Sequence, residues 1–453
     1  MGSEGPAPGV RSLLVHGGRE LRGRIPISGY KHALTLLVAA AVALDRRVTL
    51  RNVPVMTETR VLRRILERMD AGGQLAGATW DLDPGPMRSA PVPARLSGLI
   101  HGSLYLVPAL LARFGEVTFA GAGGDRIGPS RLGGGRPTDQ VAAVLERFGA
   151  TVRTRGGLRA TATRLRGCSI DLMEFSTHRR RLRGPMASSA TKTALILAAA
   201  ADGPSQLHHP VDRDATRELC DFLRRCGTIV ERDRDTWHVR PGTRARPLVH
   251  DLISDSTEIV TFIACAAHTG GSLRLTGITG QRTWQAIDDE LRRLAEMGVL
   301  LARGPDWLDV RGPEELRPLE LEIECNGFST DAHPLVAVPL LGAAGVSRIT
   351  DHVWTNRFAY VRMLLQMGAR AYKARWRPTV TLHGGPLHPP AGPLVPTDSR
   401  AAAAAVVAAL GVRGTTRIID AGHLERSYER LIDKLGYADA DLEVEALAGP
   451  AGP

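Results

Sequence analysis

Residues 28–50, SGYKHALTLLVAAAVALDRRVTL, run from a polar start through an unbroken small-apolar stretch into a β-branched strand. The same order returns five times: HGSLYLVPALLARFGEVTF at 101–119, SSATKTALILAAAADGPSQL at 188–207, DSTEIVTFIACAAHTGGSLRL at 255–275, STDAHPLVAVPLLGAAGVSRI at 329–349 and TDSRAAAAAVVAALGVRGTTRI at 397–418. A second helix pattern follows each copy and ends at Met69, Phe148, Cys226, Met297, Met367 and Leu435. The period is therefore roughly 70 to 80 residues.

The first helix of each unit is almost uniformly Ala, Val and Leu, which requires burial on every side, whereas the second carries one apolar stripe against Arg and Glu. Each unit reads as a buried helix, a strand, an exposed helix and one or two closing strands. Six such units are too long for short solenoid repeats, and their apolar helices need enclosure. Two α/β halves of three units each, helices inside and sheets outside, satisfy that burial. The spacing predicts a first domain over 30–247, carrying a glycine-rich loop at 119–140, and a second over 11–29 plus 248–444. The Pro/Arg-rich segment RPGTRARPL, 240–248, is the expected linker, and 1–10 and 445–453 are expected to be flexible tails.

With 453 residues, 43% hydrophobic and 23% charged, the chain is neither disordered nor collagen-like. The net charge of +11 permits a nucleic acid, an acidic membrane or a small polyanion as partner. The longest basic stretch, HRRRLR at 178–183, has no interleaved aromatics, and only 4% of the chain is aromatic, which argues against stacking on single-stranded bases. Five scattered cysteines without CxxC spacing indicate neither a disulfide framework nor a zinc site, and a reducing cytoplasm is the simple expectation. The apolar runs at 34–44 and 401–410 are far short of the ~20 residues that span a bilayer.

Charged residues interrupt several of the helix starts. Asp255, Asp331 and Asp398 have the chemistry of N-caps. Lys31 and Arg400 do not, because a helix N-terminus is partially positive and repels cations unless an anion is bound there. Lys31 is also one of four lysines, with Lys192, Lys373 and Lys434, among 54 arginines. The loop FAGAGGDRIGPSRLGGGRPTDQ, 119–140, fits no phosphate-loop or dinucleotide fingerprint and carries Asp125, Arg126, Arg131 and Arg136.

These motifs resemble the enolpyruvyl transferase superfamily, six βαβαββ-type units in two inside-out α/β barrels, and in particular the UDP-N-acetylglucosamine 1-carboxyvinyltransferases. SGYKHAL, GGDRIG with RPTDQ, FSTDAHP, TNRF, PTDSRA and ERSYERLIDKL carry the resemblance, over nearly the whole chain. It implies transfer of enolpyruvyl from phosphoenolpyruvate to an alcohol, in a cytoplasmic enzyme with no cofactor and no metal. Asp125 stands at the loop-acid position, where cysteine is usual, which implies insensitivity to the thiolate-alkylating epoxide fosfomycin. Asp331 stands at the acceptor-base position. Lys31, Arg136 and Arg426 are implied to hold the phosphate, and Arg357 and Arg400 the carboxylate. The Lys31→Ala variant is expected to lose phosphate release with its fold intact.

Pro137 and Asp139 match the family's uracil-contacting pair, implying a uridine nucleotide as acceptor. Departures lie on its sugar and diphosphate side: His32 replaces an asparagine, His101 an arginine, and a lysine is replaced near Pro185. Insertions fall at 129–135 and 174–184, the latter adding arginines beside Ser188 and Ser189, where the family binds nucleotide phosphate. SGYKHAL looks more like a nucleoside-antibiotic branch that acts on the 3′-hydroxyl of UMP. The competing readings are a noncatalytic basic scaffold for nucleic acid and an RNA 3′-phosphate cyclase-like enzyme. Neither membrane nor nucleic-acid partners are implied, and the oligomeric state is left open.

Overall fold

The computed structural model describes residues 11–125, 127, 138–242, 248–419 and 422–446. Each predicted small-residue run is a helix: α1 (Lys31–Ala43), α2 (Leu106–Phe114), α3 (Met186–Ala200), α4 (Ser256–Thr269), α5 (His333–Leu340) and α6 (Ser399–Gly411). α1, α2 and α3 pack on one another, and α4, α5 and α6 form a second trio. Close axial approach is what a surface of Ala, Val and Leu permits. In α6 every residue from Ala401 to Leu410 is at most 2% exposed, so an enlarged side chain there would cost about 1–3 kcal/mol in forced repacking.

Among the described residues six small sheets surround the trios, one per unit. In the first unit Val48–Arg51 pairs antiparallel with Thr79–Asp83, which pairs in turn with Gly72–Ala76. The outer helices, such as Thr57–Glu67 and Asp214–Cys226, turn one apolar stripe inward and leave arginines on the solvent side. Two apolar cores result. One gathers Tyr30 to Ile253 with Ala286; the other gathers Leu13 to Ile27 and Ile259 to Ala438 with Ala187 and Val211. The architecture is α/β, two inside-out barrels of three repeats each.

The chain passes between the cores twice, and the two passages lie side by side. Tyr30 N donates to Ile253 O at 2.9 Å and Asp255 N to Ser28 O at 2.8 Å, around a bridge between Gly29 and Ser254. A Cβ at Gly29 would overlap the Asn52 carbonyl oxygen, so the tight crossing requires glycine. The second passage lies later than the Pro/Arg-rich segment suggested. Residues 243–247 fall outside the described residues, but Leu248–Asp251 runs parallel to Val48–Arg51 and Leu252 and Ile253 pack in the first core. Pairing with a sheet edge, which composition does not report, carries the chain on to Ile253.

A buried ion pair clamps the crossing. Lys434 donates to Ser28 Oγ at 2.6 Å and pairs with Glu258, whose other carboxylate oxygen accepts from Ser28 N at 2.8 Å. Burial pushes the Glu258 carboxyl up to about 7, although Lys434 opposes the shift.

Candidate active site

Between the halves lies a cleft lined by the starts of α1 and α3, the loop at Gly124–Asp125 and, opposite, Ser329–Asp331, Arg357, Ser399–Arg400 and Arg426–Ser427. Of the residues singled out from the sequence, Lys31, His32, His101, Asp125, Ser188, Ser189, Asp331, Arg357, Arg400 and Arg426 all face it. Asp139 does not: it is exposed at the first position of the helix Asp139–Arg147, and its neighbour Gln140 lines the cleft instead. Arg136 and Pro137 lie outside the described residues, as do Arg126, Arg131 and the 129–135 insertion.

Lys31, at the first position of α1, is only 8% exposed. Its dipole problem is met from within the protein, since Nζ stands 3.2 Å from Glu58 Oε2 and donates to Arg426 O at 3.1 Å, across the cleft. Glu58 is itself buried and accepts from Gly102 N at 3.1 Å. Sequence reasoning missed Glu58. The available signal was an acid in the first turn of an outer helix whose stripe is otherwise apolar.

The three helix-start aspartates separate into two kinds. Asp255 caps α4, accepting from Thr257 N at 2.9 Å and Glu258 N at 3.1 Å, and Asp398 caps α6 through Arg400 N and Ala401 N, both at 2.9 Å. Asp331 caps no helix among the described residues. Its carboxylate pairs with Arg357, with Arg400 Nε at 3.3 Å and with His32 Nε2 at 3.7 Å. Arg357 and Arg400 are 6% and 5% exposed, so both guanidinium groups are held in a largely dry site, and Arg400 Nη1 has no hydrogen-bond partner among the described residues.

Asp125 reaches the second half. Its Oδ2 accepts from Ser399 Oγ at 2.8 Å and its Oδ1 from Arg426 Nη2 at 2.6 Å, while the same Nη2 lies 2.9 Å from His423 Nδ1. The loop can enter because Gly123 packs against the Gly98 carbonyl where no Cβ fits, and Gly124 adopts a left-handed φ of 95° beside His101. Burial raises the Asp125 pKa, but the Ser399 hydrogen bond and the charges of Arg426, Lys31 and Arg400 outweigh it and hold the carboxyl below its ordinary range.

The arginines of the 174–184 insertion are not at the nucleotide-phosphate position expected of them. Arg181 and Arg183 both pair with Glu324, at 3.1 and 2.7 Å. The segment straps the halves together, with Cys325 N donating to Leu182 O at 3.1 Å and Gly184 N to His352 O at 2.7 Å. Lys192 lines the cleft one helical turn on from Ser188 and Ser189, and Arg213, also lining it, is paired with Glu290.

Chemically, the cleft sets the carboxylates of Asp125 and Asp331 on a bed of Lys31, Arg357, Arg400 and Arg426. That set can hold a small polyanion and move protons on either side of it. Among the described residues no helix is long and apolar enough to cross a membrane.

The chain matches the family of EPSP synthase (3-phosphoshikimate 1-carboxyvinyltransferase) over residues 15–435. It is 30% identical to UDP-N-acetylglucosamine 1-carboxyvinyltransferase 3 of Symbiobacterium thermophilum over 448 residues, 96% of this chain and 98% of that one. The enolpyruvyl transferase NikO from Streptomyces tendae superposes with a TM-score of 0.89 at 32% identity, covering 97% of this chain and all of the other. EPSP synthase from Acinetobacter baumannii, with a TM-score of 0.71 and 16% identity over 96% of this chain and all of that one, shares the fold.

Proposed function

The chain belongs to the EPSP synthase family of carboxyvinyl (enolpyruvyl) transferases, and from that premise we propose that it transfers the enolpyruvyl group of phosphoenolpyruvate to a uridine nucleotide, with the 3′-hydroxyl of UMP as the favoured acceptor. The carrying observation is that Asp125 and Asp331 face one cleft, held by the consecutive residues Ser399 and Arg400.

In this reading the substrate phosphate lies against Lys31 and Arg426, with Arg136 from the loop, and its carboxylate shares Arg357 and Arg400 with Asp331. Asp331 takes the acceptor's hydroxyl proton as that oxygen bonds to the central enol carbon. Asp125 gives a proton to the methylene carbon, making it a methyl group. Loss of phosphate and of one methyl proton then restores the carbon–carbon double bond. The buried cations act where positive character develops beside departing negative charge, and a dry site strengthens them.

A small acceptor is supported by the strap. It joins the two walls beside Pro185 and Cys325, both cleft-lining, and so limits that end of the site. Incubation with phosphoenolpyruvate and either UMP or UDP-N-acetylglucosamine, with phosphate release and product mass as readouts, tests the proposal. Release with UMP and a product bearing one added enolpyruvyl group is expected. Turnover with the sugar nucleotide alone would reassign the acceptor, and no release with either would overturn the reaction.

A further inference from the structure

We propose that Lys192 is the cation that receives the acceptor's phosphate group, an inference that rests on the transferase reading for the identity of the acceptor. Lys192 sits in the second turn of α3, a helix otherwise built almost wholly of small and apolar residues. Pro185, Ser188, Ser189 and Lys192 fall at helical spacing and share the face that lines the cleft. The ammonium lies 5.6 Å from the centroid of the Tyr105 ring and makes no ion pair or hydrogen bond among the described residues.

Two further features of the same face point to an anion. The Ser189 hydroxyl belongs to a residue only 7% exposed and has no hydrogen-bond partner among the described residues, an expensive arrangement for a buried donor. The start of α3 has neither a side-chain cap nor an acidic residue in its first turn, so its N–H groups remain available with the positive end of the helix dipole behind them. A compact ammonium with rotatable donors, a buried hydroxyl and a helix start together match a tetrahedral phosphate. The strap arginines do not compete for this role: none of the four lines the cleft, and Arg181 and Arg183 are occupied by Glu324.

Calorimetric binding of UMP and of uridine to the full chain, without turnover, tests the assignment. The Lys192→Met variant is expected to lower the preference for UMP over uridine by roughly 10- to 100-fold, the value of a charge-assisted hydrogen bond. Lys192→Arg should keep part of that preference, and Lys192→Gln serves where the methionine variant does not fold. An unchanged UMP-over-uridine preference, an equal loss for both ligands, or no UMP binding by the unaltered protein would each overturn the proposal. Phosphate release from phosphoenolpyruvate is measured in parallel. Lys192-dependent UMP binding without release sinks the transferase reading alone, and release with UMP that ignores Lys192 sinks this inference alone.

Discussion

Ser399 and Arg400, consecutive at the start of α6, hold two different carboxylates: Ser399 donates to Asp125 Oδ2 at 2.8 Å, and Arg400 Nε stands 3.3 Å from Asp331 Oδ1. One helix start thereby sets the spacing of the proposed acid and base. Asp125 arrives from the other half of the molecule, so that spacing exists only when the halves are drawn together.

The Asp125 carboxyl is held below its ordinary range, so it is ionised at neutral pH and cannot donate a proton until that changes. A polyanion bound to Lys31, Arg400 and Arg426 would neutralise the charges that lower its pKa and leave burial, which raises it. Phosphoenolpyruvate binding at neutral pH is therefore expected to take up a proton. Calorimetry in buffers of different ionisation enthalpy measures this, and Asp125→Asn should abolish the uptake and slow turnover roughly 10²- to 10⁴-fold. Binding without uptake in the unaltered protein would remove Asp125 as the acid.

Fosfomycin should not inactivate this protein covalently. The loop position holds a carboxylate, and the one cysteine lining the cleft among the described residues, Cys325, donates to Gly184 O while burial pushes its thiol up to about 12. Neither supplies the thiolate that an epoxide needs. Intact-protein mass after incubation is the check. An adduct on Asp125 or Cys325 contradicts the prediction, and Asp125→Cys should introduce sensitivity.

Removing Lys31 has a structural cost that the sequence reading did not anticipate. Its partner Glu58 is buried, and an uncompensated buried carboxylate costs about 3–5 kcal/mol. Lys31→Met is thus expected to lower both stability and turnover, whereas Lys31→Met with Glu58→Gln should recover much of the stability and none of the turnover. Chemical denaturation alongside phosphate-release assays separates the two effects. Full activity in either variant would displace Lys31 from the phosphate.

Glu258 provides a pH test of the crossing clamp. Its pKa is raised in the folded protein to about 7 from 4.5, so the folded state binds the extra proton. The stability tied to that proton is complete below pH 4.5 and is lost as pH rises through 7. Melting temperatures of the unaltered protein and Glu258→Gln, compared between pH 4.5 and 7.5, should diverge in slope, with the variant lacking this loss. Parallel curves would mean that Glu258 keeps an ordinary pKa behind Lys434.

Much of this molecule was legible before folding because its signals are local or periodic. Six small-residue helices, their burial on every side and the cationic starts of two of them follow from residue spacing and the helix dipole. Asp255 and Asp398 are caps, as their residue type suggested. Asp331 has the same residue type and a different role, set by the cations it meets rather than by its helix start. Of those partners Arg357 lies in the same unit, Arg400 in the next one and His32 in the other half of the molecule.

The amino-acid sequence by itself determined the repeat, the two trios of buried helices, and the choice of lysine or aspartate at particular helix starts, since each depends on composition and period within one unit. Tertiary structure alone decided which charges meet. Glu58 answering Lys31, the strap arginines bound to Glu324, Lys192 facing the cleft and the second crossing carried on to Ile253 all arise from pairings between distant segments. Electrostatic and hydrogen-bond partners depend on separations of a few ångströms in space, and a linear order of residues does not contain those separations.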